Sequence, residues 1–278
     1  MNYLTVIGKW LLENNKLLDE EIIYKRKNIN STEYFENMPE EKLCELNLIN
    51  TKESLFNGNA AYCIDFANKY IGGGVLSGGC VQEEILFAVE PEAIVSLFFM
   101  EVMDDCDAIG IFNTIQYSKY KGYGFNFKYD GCLIDDNYNN IKRHKIIAID
   151  AIPAKMFFSF NNDAIKEINR DIHKAFVGFN FANDNKELPK IIATGNWGCG
   201  AFNGNHELKF IQQWIAASLA KLDRLDYYTF GDKNTINIQN YYETLKKKYK
   251  NTNDLYNALL CVSSYEKDYI INLLNLQS

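Results

Sequence analysis

The amino-acid sequence predicts an α/β protein, with a central mixed sheet flanked by helices. Apolar stretches with strand character alternate along the chain with stretches of helical periodicity, which is typical of layered α/β folds. Hydrophobic residues make up 47% of the sequence, as in well-packed globular proteins. With 278 residues, the chain is long enough for one large domain with a small appendage.

The first part of the chain, residues 1–55, has a different texture. Charged residues, helix breakers and scattered apolar residues are mixed there without a strong strand signal. We therefore expect a small helical or irregular accessory segment over residues 1–55, packed against a catalytic domain over residues 56–278.

The elements after this segment begin with a strand and a long helical stretch. AYCIDFA is a strand candidate, and a Gly-rich stretch follows it. EEILFAVEPEAIVSLFFMEVM has helical length, but Pro91 should break or kink it. DAIGIFNTIQYSKYKGYGFNFKYDG alternates apolar, aromatic and polar residues around glycines, which predicts one or two strands and a mobile loop.

The second half repeats the alternation of strands and helices. HKIIAIDAI predicts a buried strand, and NNDAIKEINRDIHKAFVGF predicts a helix that begins with capping residues. The next four elements are the strand KIIATG, the Gly-rich loop NWGCGAFNGN, the helix HELKFIQQWIAASLAKL and the strand DYYTFG. One or two helices are expected to close the chain.

Charge and cysteine usage exclude several classes of protein. A net charge of −7 argues against an electrostatic grip on duplex nucleic acid. Seven cysteines without CxxC spacing, and an N-terminal MNYLTVIGKWLLENNK without the features of a secretory leader, favour reduced thiols in the cytoplasm or nucleus. No apolar stretch is long enough to predict a membrane span.

Twice the chain runs from a strand through a Gly-rich loop into a helix, at GGGVLSGG and at GCGAFNGN. Backbone N–H groups of such loops and the following helix N-terminus can bind an anion, and two loops could hold a pyrophosphate. Either loop alone is also compatible with a simple tight turn. The dinucleotide pattern GxGxxG fails at Ser77, and neither loop ends in GK[ST], so a nicotinamide enzyme or an NTPase is disfavoured.

Gln82, Glu83 and Glu84 stand where the first loop becomes a helix. Acids at a helix N-terminus commonly serve only to complement the macrodipole, a contribution of about 0.3–1 kcal/mol. However, adjacent helical residues project about 100° apart, so the two glutamates are expected to have different roles. One carboxyl could protonate a leaving oxygen in glycosidic cleavage, although two vicinal residues cannot form the usual opposed pair.

The stretch GGGVLSGGCVQEE resembles the signature of the poly(ADP-ribose) glycohydrolase family. IDFANKYIGGG, IQYSKYKGYG, IIAIDA, ATGNWGCGAFNG and YTFGD resemble further blocks of that family in the same order, over roughly residues 40–235. The resemblance implies a macrodomain-like fold that hydrolyses the ribose–ribose O-glycosidic bonds of poly(ADP-ribose) through an oxocarbenium-like transition state, without cofactor or metal. The alternative is a non-catalytic reader that binds ADP-ribose; the intact Gln-Glu-Glu favours the enzyme.

The resemblance also implies the roles of individual residues. Glu84 would be the acid/base, and Glu83 would hold ribose hydroxyls. Tyr123 would close over the ligand, Phe230 would line the adenosine side, and Asp65 would face the adenine end. The implied substrate-binding residues are Asp65, Asn68, Gly72, Gly73, Gly74, Gln82, Tyr123, Asn196, Gly198, Cys199, Gly200, Ala201, Phe202 and Phe230. ESLFNGNAAY lacks the Ile-Glu pair that we expect near the adenine in this family.

The implied partners are poly(ADP-ribose), ADP-ribose and poly(ADP-ribosyl)ated proteins, in the DNA damage response, for a monomer in the cytoplasm or nucleus. Cys199 is expected to be a small residue of the second loop rather than a nucleophile. The three histidines show no metal-ligand spacing. The lysine-rich stretch at 246–250 is expected to be a solvated helix face.

Overall fold

The computed structural model describes residues 21–133, 141–154, 164–262 and 269–275. The strands are β1 (Ile23–Asn28), β2 (Leu46–Ile49), β3 (Tyr62–Ala67), β4 (Asp107–Ile115), β5 (Ser118–Lys121), β6 (Lys128–Cys132), β7 (Arg143–Asp150), β8 (Ile191–Gly195) and β9 (Arg224–Tyr228). The helices are α1 (Gln82–Val89), α2 (Ala164–Phe179), α3 (His206–Leu219), α4 (Ile236–Lys248), α5 (Thr252–Cys261) and α6 (Tyr269–Asn275). No helix among the described residues is long and apolar enough to cross a membrane.

Seven strands form one mixed sheet in the order β1-β4-β7-β3-β8-β9-β2. The strands from β7 to β2 in this order run parallel, and β4 is antiparallel to both of its neighbours. Strands β5 and β6 form a separate antiparallel hairpin. The parallel order brings the carboxyl ends of β3, β8 and β9 to one edge of the sheet, where open α/β sheets bind ligands.

Both faces of the sheet are covered. Ile147 and Ile149 of β7 belong to the core on one face, which includes residues of α2 to α6. Ile146 and Ala148 belong to the core on the other face, with residues of α1 and of the 3₁₀ segment Pro91–Phe98. Burial on two faces explains why HKIIAIDAI is almost continuously apolar.

Most predicted elements are confirmed, and the differences have local causes. The α-helix that begins after the first Gly-rich loop ends at Val89, and the chain continues as a 3₁₀ helix from Pro91, because proline cannot donate to the helical ladder. The region predicted to hold one or two strands holds three, β4 and the hairpin β5–β6. The capping residues predicted for the start of α2, residues 161–163, lie outside the described residues.

The expectation of helical or irregular structure in residues 1–55 is wrong for the described part of that segment. Strand β1 pairs with β4 at one edge of the sheet, and β2 pairs with β9 at the other. Strand β1 has the sequence IYKRKN, and its charges hide the strand pattern while protecting an exposed edge from pairing with other chains. A boundary at residue 55 therefore cuts through the sheet.

A buried network of ion pairs joins α2, α3 and the end of β7. Asp171 of α2 pairs with Lys209 of α3 and lies 3.0 Å from Arg170, measured between Oδ1 and Nη1. Asp150 pairs with Arg170 at 2.5 Å and with Lys174 at 2.8 Å. Charged groups removed from water are tolerated only when they are paired, so each member fixes the position of the others.

We predict that Lys209→Met lowers the free energy of unfolding by on the order of 3 kcal/mol, because Asp171 loses a partner in a fully buried position. Urea unfolding at pH 7 measures this change. The matched control is Lys246→Met, which removes a partly exposed pair with Glu45 and should cost less than about 1 kcal/mol. Equal effects of the two substitutions would contradict a structural role for the buried network.

Candidate active site

A cavity of about 830 Å³ lies at the carboxyl ends of β3, β8 and β9. Its wall includes Asn68 after β3, the second Gly-rich loop over residues 196–202 after β8, and Phe230 after β9. The opposite side is formed by α1 and by Tyr123 of the hairpin loop. The volume is in the range of sites that enclose a cofactor-sized ligand.

The cavity exists because β3 and β8 separate. The two strands pair only at Tyr62 and Cys63, whereas β3 stays paired with β7 as far as Ala67. Beyond the last pair with β8, the side-chain amide of Gln82 donates to Ile64 O at 3.1 Å and accepts from Phe66 N at 2.8 Å. This amide takes the place of a neighbouring strand, so the backbone of β3 stays satisfied while the sheet opens.

Glu83 is held by the backbone of the first Gly-rich loop. Its carboxylate is buried and accepts the N–H of Asn68 at 2.9 Å and the N–H of Gly72 at 2.6 Å. Two bonds from backbone donors to one carboxylate are charge-assisted and fix its orientation. The side chain also lines the cavity.

Glu84 is held by the same loop and by the start of its own helix. Oε1 accepts the N–H of Gly74 at 2.9 Å, and Oε2 accepts the N–H of Val81 at 2.9 Å. In a capping box, the glutamate at the third helical position accepts the backbone N–H of the N-cap residue. Glu84 makes this contact with Val81, the N-cap of α1. A Cβ on Gly79 would lie 2.6 Å from Glu84 Cδ, so the loop passes closer to this carboxylate than any other residue type allows.

Asp65 lies beneath the two glutamates. It is fully buried on the face of β3 that packs against α1, and neither of its oxygens has a hydrogen-bond partner among the described residues. Burial raises the pKa of Asp65 well above its usual range, and the charge of Glu84 adds to the rise. Burial and the charge of Asp65 also raise the pKa of Glu83, but the N–H groups of Asn68 and Gly72 oppose this rise. Asp65 has no hydrogen bond from the described residues that opposes the rise in its own pKa, so the upward shift of its pKa is the less opposed of the two.

The second Gly-rich loop is anchored to the sheet at its start and to α3 at its end. The indole of Trp197 donates to Ile149 O at 2.9 Å, and Asn196 donates to Thr229 O at 3.3 Å. The Asn205 side chain caps α3 by accepting from Leu208 N at 3.0 Å. These contacts direct residues 196–202 toward the cavity.

Tyr123 stands at the cavity entrance. Its ring is 58% exposed. Partial burial and the nearby charge of Glu84 raise the pKa of the Tyr123 phenol, and a backbone hydrogen bond with Gln82 opposes the rise. The adjacent Gly124 N donates to Cys80 O at 2.9 Å, so the hairpin loop is attached to the first Gly-rich loop.

The structure brings together most of the predicted site residues. Those that line the cavity are Asn68, Gln82, Glu83, Glu84, Tyr123, Asn196, Gly198, Cys199, Gly200, Ala201, Phe202 and Phe230. Within the described ranges, the residues that do not line it are Asp65, Gly72, Gly73 and Gly74.

That Gly72, Gly73 and Gly74 surround the diphosphate and the distal ribose, together with the loop over residues 196–202, stays a prediction. Their N–H groups donate to Glu83, to Tyr70 O and to Glu84, respectively. The anions bound by this loop are the carboxylates of the protein itself. Asp65, predicted to face the adenine end, is buried and does not line the cavity.

Several wall residues were missed by sequence reasoning. They are Lys52, Ser54, Leu55, Phe56, Tyr120, His206 and Asp232. The first four straddle the boundary that was drawn at residue 55, and they carry no motif. His206 Nε2 lies 3.0 Å from Asp232 Oδ2, a pair that joins residues 26 positions apart and so has no local signal.

The structure also accounts for the cysteine and for two of the histidines that were considered as a nucleophile and as metal ligands. Burial raises the pKa of the Cys199 thiol to about 12, so it is not a thiolate nucleophile. His144 pairs with buried Glu90 at 2.5 Å, and His173 contacts Tyr34 Oη at 2.6 Å. Among the described residues, no group of His, Cys, Asp and Glu is placed to hold a metal ion.

Comparison with known proteins gives a consistent family match. Residues 33–237 match the family described as poly(ADP-ribose) glycohydrolase (PARG), macro domain fold. Poly(ADP-ribose) glycohydrolase 1 of Arabidopsis thaliana is 31% identical over 266 residues, covering 71% of this chain and 48% of that protein. Poly(ADP-ribose) glycohydrolase 2 of Caenorhabditis elegans is 34% identical over 231 residues, covering 76% and 46%. The chain thus spans about half the length of these relatives.

Solved structures are similar at lower identity. Poly(ADP-ribose) glycohydrolase of Deinococcus radiodurans in complex with ADP-ribose is 14% identical, covers 75% of this chain and 87% of that chain, and has a TM-score of 0.46.

We predict that Asp65→Asn stabilises the protein relative to the natural sequence as the pH rises. The folded-state pKa of Asp65 is raised above its unfolded value, which is about 3.9. Its contribution to stability is therefore full below about pH 4 and is lost as the pH rises through the folded pKa, at roughly 1.4 kcal/mol per pH unit between the two values. Thermal melts of both proteins from pH 4 to pH 9 measure the difference.

Asp107→Asn is a control of opposite sign. Asp107 is also buried, and although burial raises its pKa, hydrogen bonds from Asn28, Asp104 N and Arg26 bring the net pKa below its usual value. This substitution should destabilise at neutral pH, and the difference should shrink as the pH falls through the folded pKa. A constant effect of Asp65→Asn at every pH would contradict the raised pKa of Asp65.

Proposed function

The chain belongs to the poly(ADP-ribose) glycohydrolase family, and we propose that it hydrolyses the ribose–ribose O-glycosidic bonds of poly(ADP-ribose) and releases ADP-ribose. The observation that carries the proposal is the pair of adjacent carboxylates, Glu83 and Glu84, held by backbone N–H groups in the wall of a ligand-sized cavity.

The terminal ADP-ribose unit is proposed to lie along the cavity with its adenosine near Phe230 and its distal ribose at Glu83 and Glu84. Because the donors of the first loop are bonded to these glutamates, the diphosphate is assigned to the second loop over residues 196–202. That loop lines the cavity and leads into the N-terminus of α3, whose partial positive charge favours an anion.

In the proposed reaction, Glu84 donates a proton to the leaving oxygen as the bond from that oxygen to C1 of the distal ribose breaks. The ring oxygen shares the positive charge of the resulting oxocarbenium-like ion. A water molecule attacks C1, and the Glu84 carboxylate takes its proton. Glu83, whose oxygens are fixed by Asn68 and Gly72, orients the ribose hydroxyls. The products are ADP-ribose and a polymer shortened by one unit.

The second candidate is a reader that binds ADP-ribose without cleaving the polymer. The same cavity would serve it, and the two glutamates favour the enzyme because a reader does not need two carboxylates beside a diphosphate. Incubation of the purified protein with poly(ADP-ribose), followed by chromatography of the released ADP-ribose, separates the two. Release supports the enzyme, and a thermal shift with ADP-ribose but no release supports the reader.

The cellular compartment, the protein partners and the oligomeric state are part of the same proposal. None of the seven cysteines, all of which lie in the described ranges, forms a disulfide, which supports a reducing compartment such as the cytoplasm or nucleus. There, a monomer would act on poly(ADP-ribosyl)ated proteins in the DNA damage response.

We predict that Glu84→Gln lowers kcat by about 10²- to 10⁴-fold, since glutamine keeps the shape of the side chain but cannot supply a proton. Binding of ADP-ribose should survive, as measured by the upward shift of the melting temperature with millimolar ligand. Near-normal release of ADP-ribose by this variant would make the assignment of the acid wrong, and Glu83 would be the next residue to test.

We predict that Gly73→Ala also abolishes most of the turnover. A Cβ at this position would lie 2.6 Å from both Glu83 Oε2 and Glu84 Oε1, at a φ of +49°, so the carboxylates would be displaced. The control is Gly78→Ala in the same loop, with a φ of +98° and no described atom within 4 Å of its Cβ. It carries backbone strain without touching the glutamates. Rates of polymer cleavage and melting temperatures are measured for both variants. Equal kcat values for Gly73→Ala and Gly78→Ala would show that the carboxylates tolerate displacement.

A further inference from the structure

The hairpin β5–β6 has an unusual composition for this chain. Of the fifteen residues 118–132, five are aromatic, three are lysine and one is acidic, whereas the whole chain has a net charge of −7. Cations interleaved with exposed aromatic rings are typical of surfaces that bind single-stranded nucleotide polymers, because the cations face phosphates and the rings stack on bases.

The tip of this hairpin presents an aromatic ring that the fold does not use. Phe125 is fully exposed, with 104% of its reference area accessible, whereas Phe127 packs against Tyr120 with ring centroids 5.7 Å apart. The turn itself is well defined: Gly122 has a φ of +81°, and a Cβ there would lie 2.0 Å from Asn126 O. Exposing a large apolar ring on a defined turn has a cost in hydration, which suggests a ligand.

The tip lies beside the carboxylates. Tyr123, two residues before Phe125, lines the cavity and is close enough to Glu84 for that charge to raise its pKa. Gly124 N is bonded to Cys80 O, and Cys80 precedes the catalytic helix α1 by two residues. The hairpin tip is therefore at the Glu84 end of the cavity, while Phe230 is assigned to the adenosine end.

We propose that the hairpin tip is a subsite for the second ADP-ribose unit of the polymer, the one on the leaving-group side of the bond that is cleaved. Phe125 stacks on the adenine of that unit, and the exposed lysines Lys119 and Lys128 face its diphosphate. Lys121 is instead paired with Asp130. This proposal rests on the proposed function. Once the terminal unit occupies the cavity with its distal ribose at Glu84, the next unit must leave past Tyr123 and Phe125.

The test compares polymer cleavage with binding of free ADP-ribose, which lacks the second unit. In Phe125→Ala, kcat/KM for poly(ADP-ribose) should fall by about 5- to 100-fold, the range for one lost base–aromatic stack. The Kd for ADP-ribose from calorimetry should stay unchanged. Phe125→Trp should restore the polymer rate, because any aromatic face can stack on a base. The matched control is Phe98→Ala, an exposed ring on the 3₁₀ segment, which should leave both quantities at the natural values.

The lysines are tested by salt dependence. Lys128→Gln should reduce the slope of log(kcat/KM) for the polymer against log[salt], because one contact with a phosphate is removed. The Kd for ADP-ribose should again be unchanged.

The outcomes separate the subsite from the activity. If the natural protein cleaves the polymer and Phe125→Ala cleaves it equally well, the subsite is overturned and the proposed function stands. If Phe125→Ala weakens ADP-ribose binding as much as polymer cleavage, Phe125 belongs to the site of the terminal unit, and the subsite is overturned. If the natural protein neither binds ADP-ribose nor cleaves the polymer, the proposed function fails and the subsite fails with it.

Discussion

The site depends on one interaction, the binding of two adjacent glutamates by the backbone N–H groups of a Gly-rich loop. Asn68, Gly72 and Gly74 supply three of the four donors, and Val81 supplies the fourth. This arrangement explains why glycines are placed next to carboxylates. The loop must approach the two side chains so closely that a Cβ would collide with them, and its donors offset the loss of hydration that buried carboxylates suffer.

The same local structure opens the sheet. Gln82 begins α1 one residue before the glutamates, and its amide satisfies the backbone of β3 where β8 has moved away. The start of α1 therefore satisfies the freed backbone edge of β3 and, in the next two residues, supplies the carboxylates of the cavity wall. Asp65 extends the arrangement below the helix, where burial and the charge of Glu84 raise its pKa. A buried acid without a hydrogen-bond partner in the described part of the chain is costly, and such costs are typical of functional sites.

Sequence patterns predicted the layered α/β class, the central strands and the helices, because buried parallel strands and amphipathic helices leave strong periodic signals. Strand β1 was missed because an edge strand carries the charges that periodicity analysis assigns to loops. The contacts of Gly72 and Gly74 with the two glutamates could not be predicted, because a sequence does not show which anion a donor faces; the carboxylates lie about ten residues further along the chain. Lys52 and Phe56 reach the cavity only through tertiary packing, which no local pattern encodes.

The contacts of Glu84 also constrain how the proposed reaction can proceed. Each oxygen of this carboxylate accepts one backbone N–H, from Gly74 or from Val81. A carboxylate oxygen has two lone-pair sites, so each oxygen of Glu84 keeps one site for a proton or for a substrate atom while its N–H contact stays in place. Val81 is the N-cap of the helix that carries Glu84, and breaking its contact would free an N–H at the start of that helix. Gly74 is ten residues away in the loop, and its contact ties the loop to the start of α1. In the proposed reaction Glu84 therefore exchanges its proton without losing either contact, and the two backbone donors hold the acid in place throughout.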